Sequence, residues 1–169
     1  MYLEFLLLIS DYFKTLTRKI FLYEWIVPLV FSILLFLFKT QLDTSILKSF
    51  KDSAISILGV LLGFSIAVIT IITTGSGENL EKIKKIKTEF KIGIHAISLY
   101  KLTLINFTYS VVMEILVIVP SITLPILSNC INPTIKLFLY ILLVFGVIHI
   151  LLLTLRNLTD FYLIIAKEG

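Results

Sequence analysis

Residues 53–74 read SAISILGVLLGFSIAVITIITT, without one charged side chain. A helix needs ~20 mostly apolar residues to cross a bilayer core of about 30 Å, because each residue advances it by about 1.5 Å. This run is long enough by itself, so the chain is read as integral to a membrane. Three further stretches qualify: residues 21–38, 102–124 and 137–155. Tyr23 and Trp25 stand near the start of the first as interfacial aromatics, and Arg156 closes the last.

Composition agrees. Of 169 residues, 58% are apolar and only 15% charged, and mean hydropathy is +1.04. Typical globular chains are roughly 45–50% apolar and about 25% charged. A soluble domain of this size leaves too much surface in water to hide so much apolar side chain. These values exclude a soluble enzyme, a DNA-binding module and a disordered tail. The scarcity of Ala beside plentiful Ile, Leu, Lys and Phe is the mark of an AT-rich, bacterial genome.

Outside the spans, residues 1–20 interleave apolar Leu6, Leu7, Ile9, Phe13 and Leu16 with Asp11, Lys14 and Arg18. That pattern reads as an amphipathic helix lying in the membrane interface. It lacks the leading basic residues and small-residue cleavage site of a signal peptide. Residues 75–101 form the one sizeable non-membrane piece. Glu78 and Glu81 suit a first helical turn, and Ile83, Ile86, Phe90 and Ile94 recur at three- and four-residue spacing. The segment is therefore read as helical and basic. The expected fold class is an all-α integral membrane protein: an N-terminal interfacial helix, four transmembrane helices, a basic cytoplasmic helical segment between spans two and three, and a tail at 156–169. Of fifteen basic residues, eleven fall on the side shared by both termini and residues 75–101. That side is assigned to the cytoplasm of a multi-pass inner-membrane protein.

No catalytic chemistry is legible. The single cysteine, Cys130, excludes the paired-thiol exchange of four-helix membrane oxidoreductases. His95 and His149 stand far apart, short of the four ligands of a structural metal site. Neither GxxxxGK[ST] nor GxGxxG occurs. The chain is read as non-enzymatic, with no metal and no cofactor.

Three groups of residues invite a role. In the second span, Ser56, Gly59, Gly63 and Ala67 form a small-residue stripe of the kind that lets helices approach closely. It serves either a homo-oligomer contact or packing within the chain. In the third span, Thr103, Asn106, Ser110, Glu114 and Ser121 lie on one helical stripe. Glu114 sits roughly 20 Å beyond Lys101. A carboxylate at that depth must be protonated or paired, so the stripe should face a neighbouring helix, a subunit or a water-filled cavity. His149 in the fourth span stands nearer the level of Asn106 and Ser110 than of Glu114, so a direct pair is not expected, while a polar chain through Ser110 is open. Pro120 and Pro125 are expected to end or kink the third helix, before an outer turn at Asn129, Cys130, Asn132 and Pro133. The third group is Lys82, Lys84, Lys85, Lys87 and Lys91 in residues 78–101. They make either a solvated face or a docking site for anionic lipid or a cytoplasmic protein. No aromatic platform is interleaved with them, so nucleic acid is not an expected partner.

The run GVLLGFSIAVITIITTGS at 59–76, followed by a Lys/Glu-rich cytoplasmic segment in a small four-span chain, resembles the membrane components of bacterial antiphage defence systems, the membrane subunit of the Kiwa system in particular. The resemblance lies in layout and transfers no residues. It implies a homo-oligomer of the inner membrane that senses phage attack and works with a cytoplasmic partner. Two other classes stand beside this one. One is a small ion channel or membrane-depolarising pore, which the Glu114 stripe favours. The other is a proton-coupled small-molecule transporter resembling the small multidrug exporters, whose membrane carboxylate lies in the first span rather than the third.

Overall fold

A computed structural model describes residues 2–38, 44–76, 78–127 and 131–166. Among them are helices α1 (Tyr2–Lys14), α2 (Arg18–Phe21), α3 (Val27–Leu37), α4 (Thr44–Thr74), α5 (Glu78–Lys85), α6 (Leu99–Leu127) and α7 (Pro133–Ala166). A π-helical turn, Leu22–Ile26, joins α2 to α3, and strands β1 (Lys87–Ile92) and β2 (His95–Ser98) form a hairpin. Among the described residues, four helices are long and apolar enough to cross a membrane: Arg18–Leu37, Ser45–Thr74, Leu99–Ile126 and Pro133–Tyr162. The chain is a multi-pass helical membrane protein. The expected outer-turn residues Asn129 and Cys130, together with Lys39 and Lys167, lie outside the described residues.

The spans pack in the order α4, α6, α7, α3, while α1 lies against α6 and β1. Side chains alternate by face. Along α4, Ala54, Leu58, Ser65, Val68 and Ile72 are buried, whereas Ile57, Val60, Ile66 and Ile71 are exposed. An outer surface of large aliphatics suits contact with acyl chains, which are as apolar as the side chains themselves. Inside, Leu58, Leu143, Val147 and Ile150 fill the contact between α4 and α7. Tyr12, Ile97, Ile105, Tyr109 and Leu153 form a second cluster, joining α1 and β2 to the end of the bundle.

The structure differs from the sequence reading in three places. First, residues 75–101 are not a continuous helix. Helix α5 stops at Lys85, and Lys87–Ile92 pairs antiparallel with His95–Ser98. The reason is a two-residue period: Lys87, Glu89 and Lys91 are exposed, while Thr88, Phe90 and Ile92 are half-buried. Gly93, at φ +65, makes the first position of the turn, a conformation that glycine adopts without strain. Second, neither Pro120 nor Pro125 ends α6, which runs through both to Leu127; membrane helices tolerate proline where the surroundings re-satisfy the backbone. Third, three spanning helices overrun the bounds read from hydropathy. Helix α4 begins at Thr44, α6 at Leu99, and α7 extends from Pro133 to Ala166.

Candidate functional site

The polar side chains of the spans collect at two depths. The shallower cluster begins at Pro28. A proline has no N–H, so the carbonyl four residues earlier loses its helical donor, and that carbonyl belongs to Glu24. Here His149 of α7 supplies the donor: its Nδ1–H bonds the Glu24 carbonyl oxygen at 2.7 Å. This fixes the ring's tautomer and leaves Nε2 as an acceptor facing the Tyr109 hydroxyl of α6, 3.4 Å away. Glu24 itself lies in the π-helical turn Leu22–Ile26, a feature frequent at functional sites.

The Glu24 side chain is fully buried and meets two partners. Arg156 Nε of α7 stands 3.0 Å from its Oε1. This contact is an ion pair rather than an aligned hydrogen bond, since the N–H does not aim at the oxygen. The hydroxyl of Tyr12, from α1, donates to Oε2 at 2.5 Å. Burial, with the Glu24 charge beside it, pushes the Tyr12 phenol above its ordinary range, so it stays a neutral donor. The Tyr12 ring stacks on Tyr109 with centroids 3.5 Å apart, and the Arg156 guanidinium carbon stands 5.8 Å from the same ring's centroid. Three elements are thereby tied through one carboxylate, α1, the first span and α7, and the Tyr12–Tyr109 stack joins α6 to them.

The third-span stripe is divided among neighbours. Asn157 of α7 donates to Ser110 Oγ at 2.8 Å and to the Asn106 carbonyl at 3.4 Å. Deeper, Ser65 of α4 donates to Glu114 Oε1 at 3.1 Å. Thr103 and Ser121 bond carbonyls of their own helix, those of Leu99 and Val117. The stripe therefore faces α4 and α7 within the chain. No hydrogen bond among the described residues joins Glu114 to Ser110 or to His149, so the polar chain left open through Ser110 does not form. Glu114 Oε2, Asn106 Oδ1 and Asn157 Oδ1 are buried without a hydrogen-bond partner among the described residues.

The small-residue stripe takes the opposite side. Ser56, Gly59, Gly63 and Ala67 all lie on the outer surface of α4, and a Cβ built at Gly59 or Gly63 would meet nothing within 4 Å. Packing within the chain does not use them. The close approach inside the bundle falls instead at Gly146 of α7, where an added Cβ would come within 2.6 Å of Val117 Cγ2.

The lysines separate too. Lys82 pairs with Glu78 at 3.1 Å and Lys84 with Glu81 at 2.7 Å along α5, while Lys87 and Lys91 stand exposed on β1. Glu24, Arg156, Tyr12, Ser65, Asn157 and Gly146 are absent from the candidate site residues read in sequence, whereas His149 is among them. A second intramembrane carboxylate in the first span, matched by an arginine at the same end of the fourth, was the available signal for Glu24 and Arg156. No group of three or more His, Cys, Asp or Glu side chains able to hold a metal occurs among the described residues.

This architecture defines a class, a multi-pass helical membrane protein with Glu24, Glu114 and His149 turned into the bundle. Comparison with protein-family models, curated proteins and solved structures finds no match to it.

Proposed function

We propose that the chain is a non-enzymatic scaffold and sensor of the bacterial inner membrane, with both termini and the α5–hairpin unit in the cytoplasm. In this reading it assembles as a homo-oligomer through the outer face of α4, α1 lies in the interface, and the cytoplasmic unit meets a soluble partner. Its layout resemblance supports a setting in antiphage defence. The observation that carries the scaffold reading is the opposite placement of the two polar and small-residue stripes. The acid, arginine and histidine are spent on tying helices of one chain together. The glycines stand outward with open space before them, where a second helix can approach closely.

Gly63→Leu tests the assembly. Because a Cβ added at Gly63 meets no atom of the described residues within 4 Å and the position lies on the outer face of α4, the folded chain should keep its helical content and unfolding temperature. Native mass spectrometry in detergent should show a discrete wild-type oligomer and a monomeric variant. Identical stoichiometry for both, or a monomeric wild type, overturns assembly through this face.

A pore is the second reading, and one observation favours it: Glu114 Oε2 is buried with no hydrogen-bond partner among the described residues, as expected for an acid that exchanges a proton or ion. Against it stands the division of the polar residues into separate clusters between large side chains.

A further inference from the structure

The cytoplasmic unit carries an open cavity of about 530 Å³ between the end of α5, the hairpin and the first turn of α6. Its wall carries Lys84, Lys85, Lys87, His95 and Lys101 beside apolar Ile92, Ala96 and Ile97. Lys84 is neutralised by Glu81 and stands 5.7 Å from the Tyr100 ring centroid. Lys85, Lys87 and Lys101 have no carboxylate within 4 Å among the described residues, so the concavity holds uncompensated positive charge. We propose that this cavity is a receptor site for the phosphate headgroup of an anionic membrane glycerophospholipid.

Three features select that ligand. The size lies in the range of small-ligand sites, ~300–1,000 Å³, and exceeds what one inorganic phosphate fills. Lys101 belongs to the helix that then runs as a span from Leu99 to Ile126, so the cavity sits where headgroups lie; basic pockets at this level of helix bundles are suited to lipid phosphates. The hairpin tip adds an apolar element, since Ile94 is 90% exposed, the highest value among the large hydrophobics of the described residues. A soluble polyphosphate gains nothing from a bare isoleucine beside its site, whereas a bilayer surface does. The inference rests on the chain being embedded in a membrane and is independent of the proposed oligomer and partner.

The test uses the full chain in phosphatidylcholine nanodiscs doped with phosphatidylglycerol, with lipid retained on the released protein counted by native mass spectrometry. Wild type should retain phosphatidylglycerol over phosphatidylcholine. Each lysine near an anionic surface contributes roughly fivefold, so Lys85→Gln, Lys87→Gln and Lys101→Gln combined should reduce that preference by about 100-fold. The three matching Arg substitutions should retain it, and Lys136→Gln on the opposite side should leave it unchanged. Absence of preference in wild type, or equal retention by the Gln variant at unchanged unfolding temperature, overturns the site. Displacement of the lipid by millimolar pyrophosphate at unchanged bilayer composition assigns the cavity to a soluble phosphate and overturns the lipid. Release of the chain from native membranes by alkaline carbonate contradicts the embedded fold, an outcome separate from lipid preference.

Discussion

Arg156→Met is expected to destabilise the folded chain by about 3–5 kcal/mol, the cost of stranding a buried charge whose partner has been removed. The stranded group is the Glu24 carboxylate, fully buried and 3.0 Å from the guanidinium. Tyr12 alone then remains to stabilise it, through one hydrogen bond. In a chain of this size such a loss lowers the unfolding midpoint by roughly 6–20 °C, readable by circular dichroism in detergent. The double variant Glu24→Gln/Arg156→Met removes both charges, and the amide can still meet the Tyr12 hydroxyl. It should therefore recover most of the loss, since an ion pair replaced whole costs far less than one broken. Equal midpoints for wild type and Arg156→Met would mean that the pair does not hold α7 to the first span.

Gly146→Leu should follow in size. The α6–α7 contact leaves no room at this residue, because even a Cβ would come within 2.6 Å of Val117 Cγ2. Valine is stiff in a helix, with one strongly preferred rotamer, so relief requires the helices to separate. Overpacking of this kind costs about 1–3 kcal/mol, sometimes more. Val117→Ala in the same chain should return part of it by vacating the clash. The contrast with Gly63→Leu is informative: one glycine is needed by the fold and the other is not. A Gly146→Leu chain with the wild-type midpoint would show that α6 and α7 can part at no cost.

The spans were legible because hydropathy over ~20 residues is a local property that tertiary context hardly alters. Helix ends were not, since Lys48, Lys51 and Asp52 continue α4 outside the apolar run without penalty. The hairpin was hidden by a coincidence of spacing. Ile86, Phe90 and Ile94 fit a helical face, but Lys87 to Ile92 also alternate with period two, and Gly93 supplies the turn between the two strands. The Glu114 stripe was visible as a stripe, yet its partners Ser65 and Asn157 carry no marker that distinguishes them from other span hydroxyls and amides. Glu24 escaped because its counter-charge lies at the far end of the sequence, and its link to His149 exists only once Pro28 has freed a carbonyl. Gly146 is a lone glycine outside any motif. Pairwise chemistry between distant helices is a property of packing, which single-chain periodicity does not encode.

Whether the bundle is sealed decides between scaffold and pore, and planar-bilayer recording of the purified wild-type chain measures it. Reconstituted at densities verified by quantifying the inserted protein, the chain should pass no current across a range of voltages and pH, and Glu114→Gln should be equally silent. Discrete wild-type currents whose conductance or pH dependence changes in Glu114→Gln would contradict a sealed scaffold and place Glu114 on a conducting path.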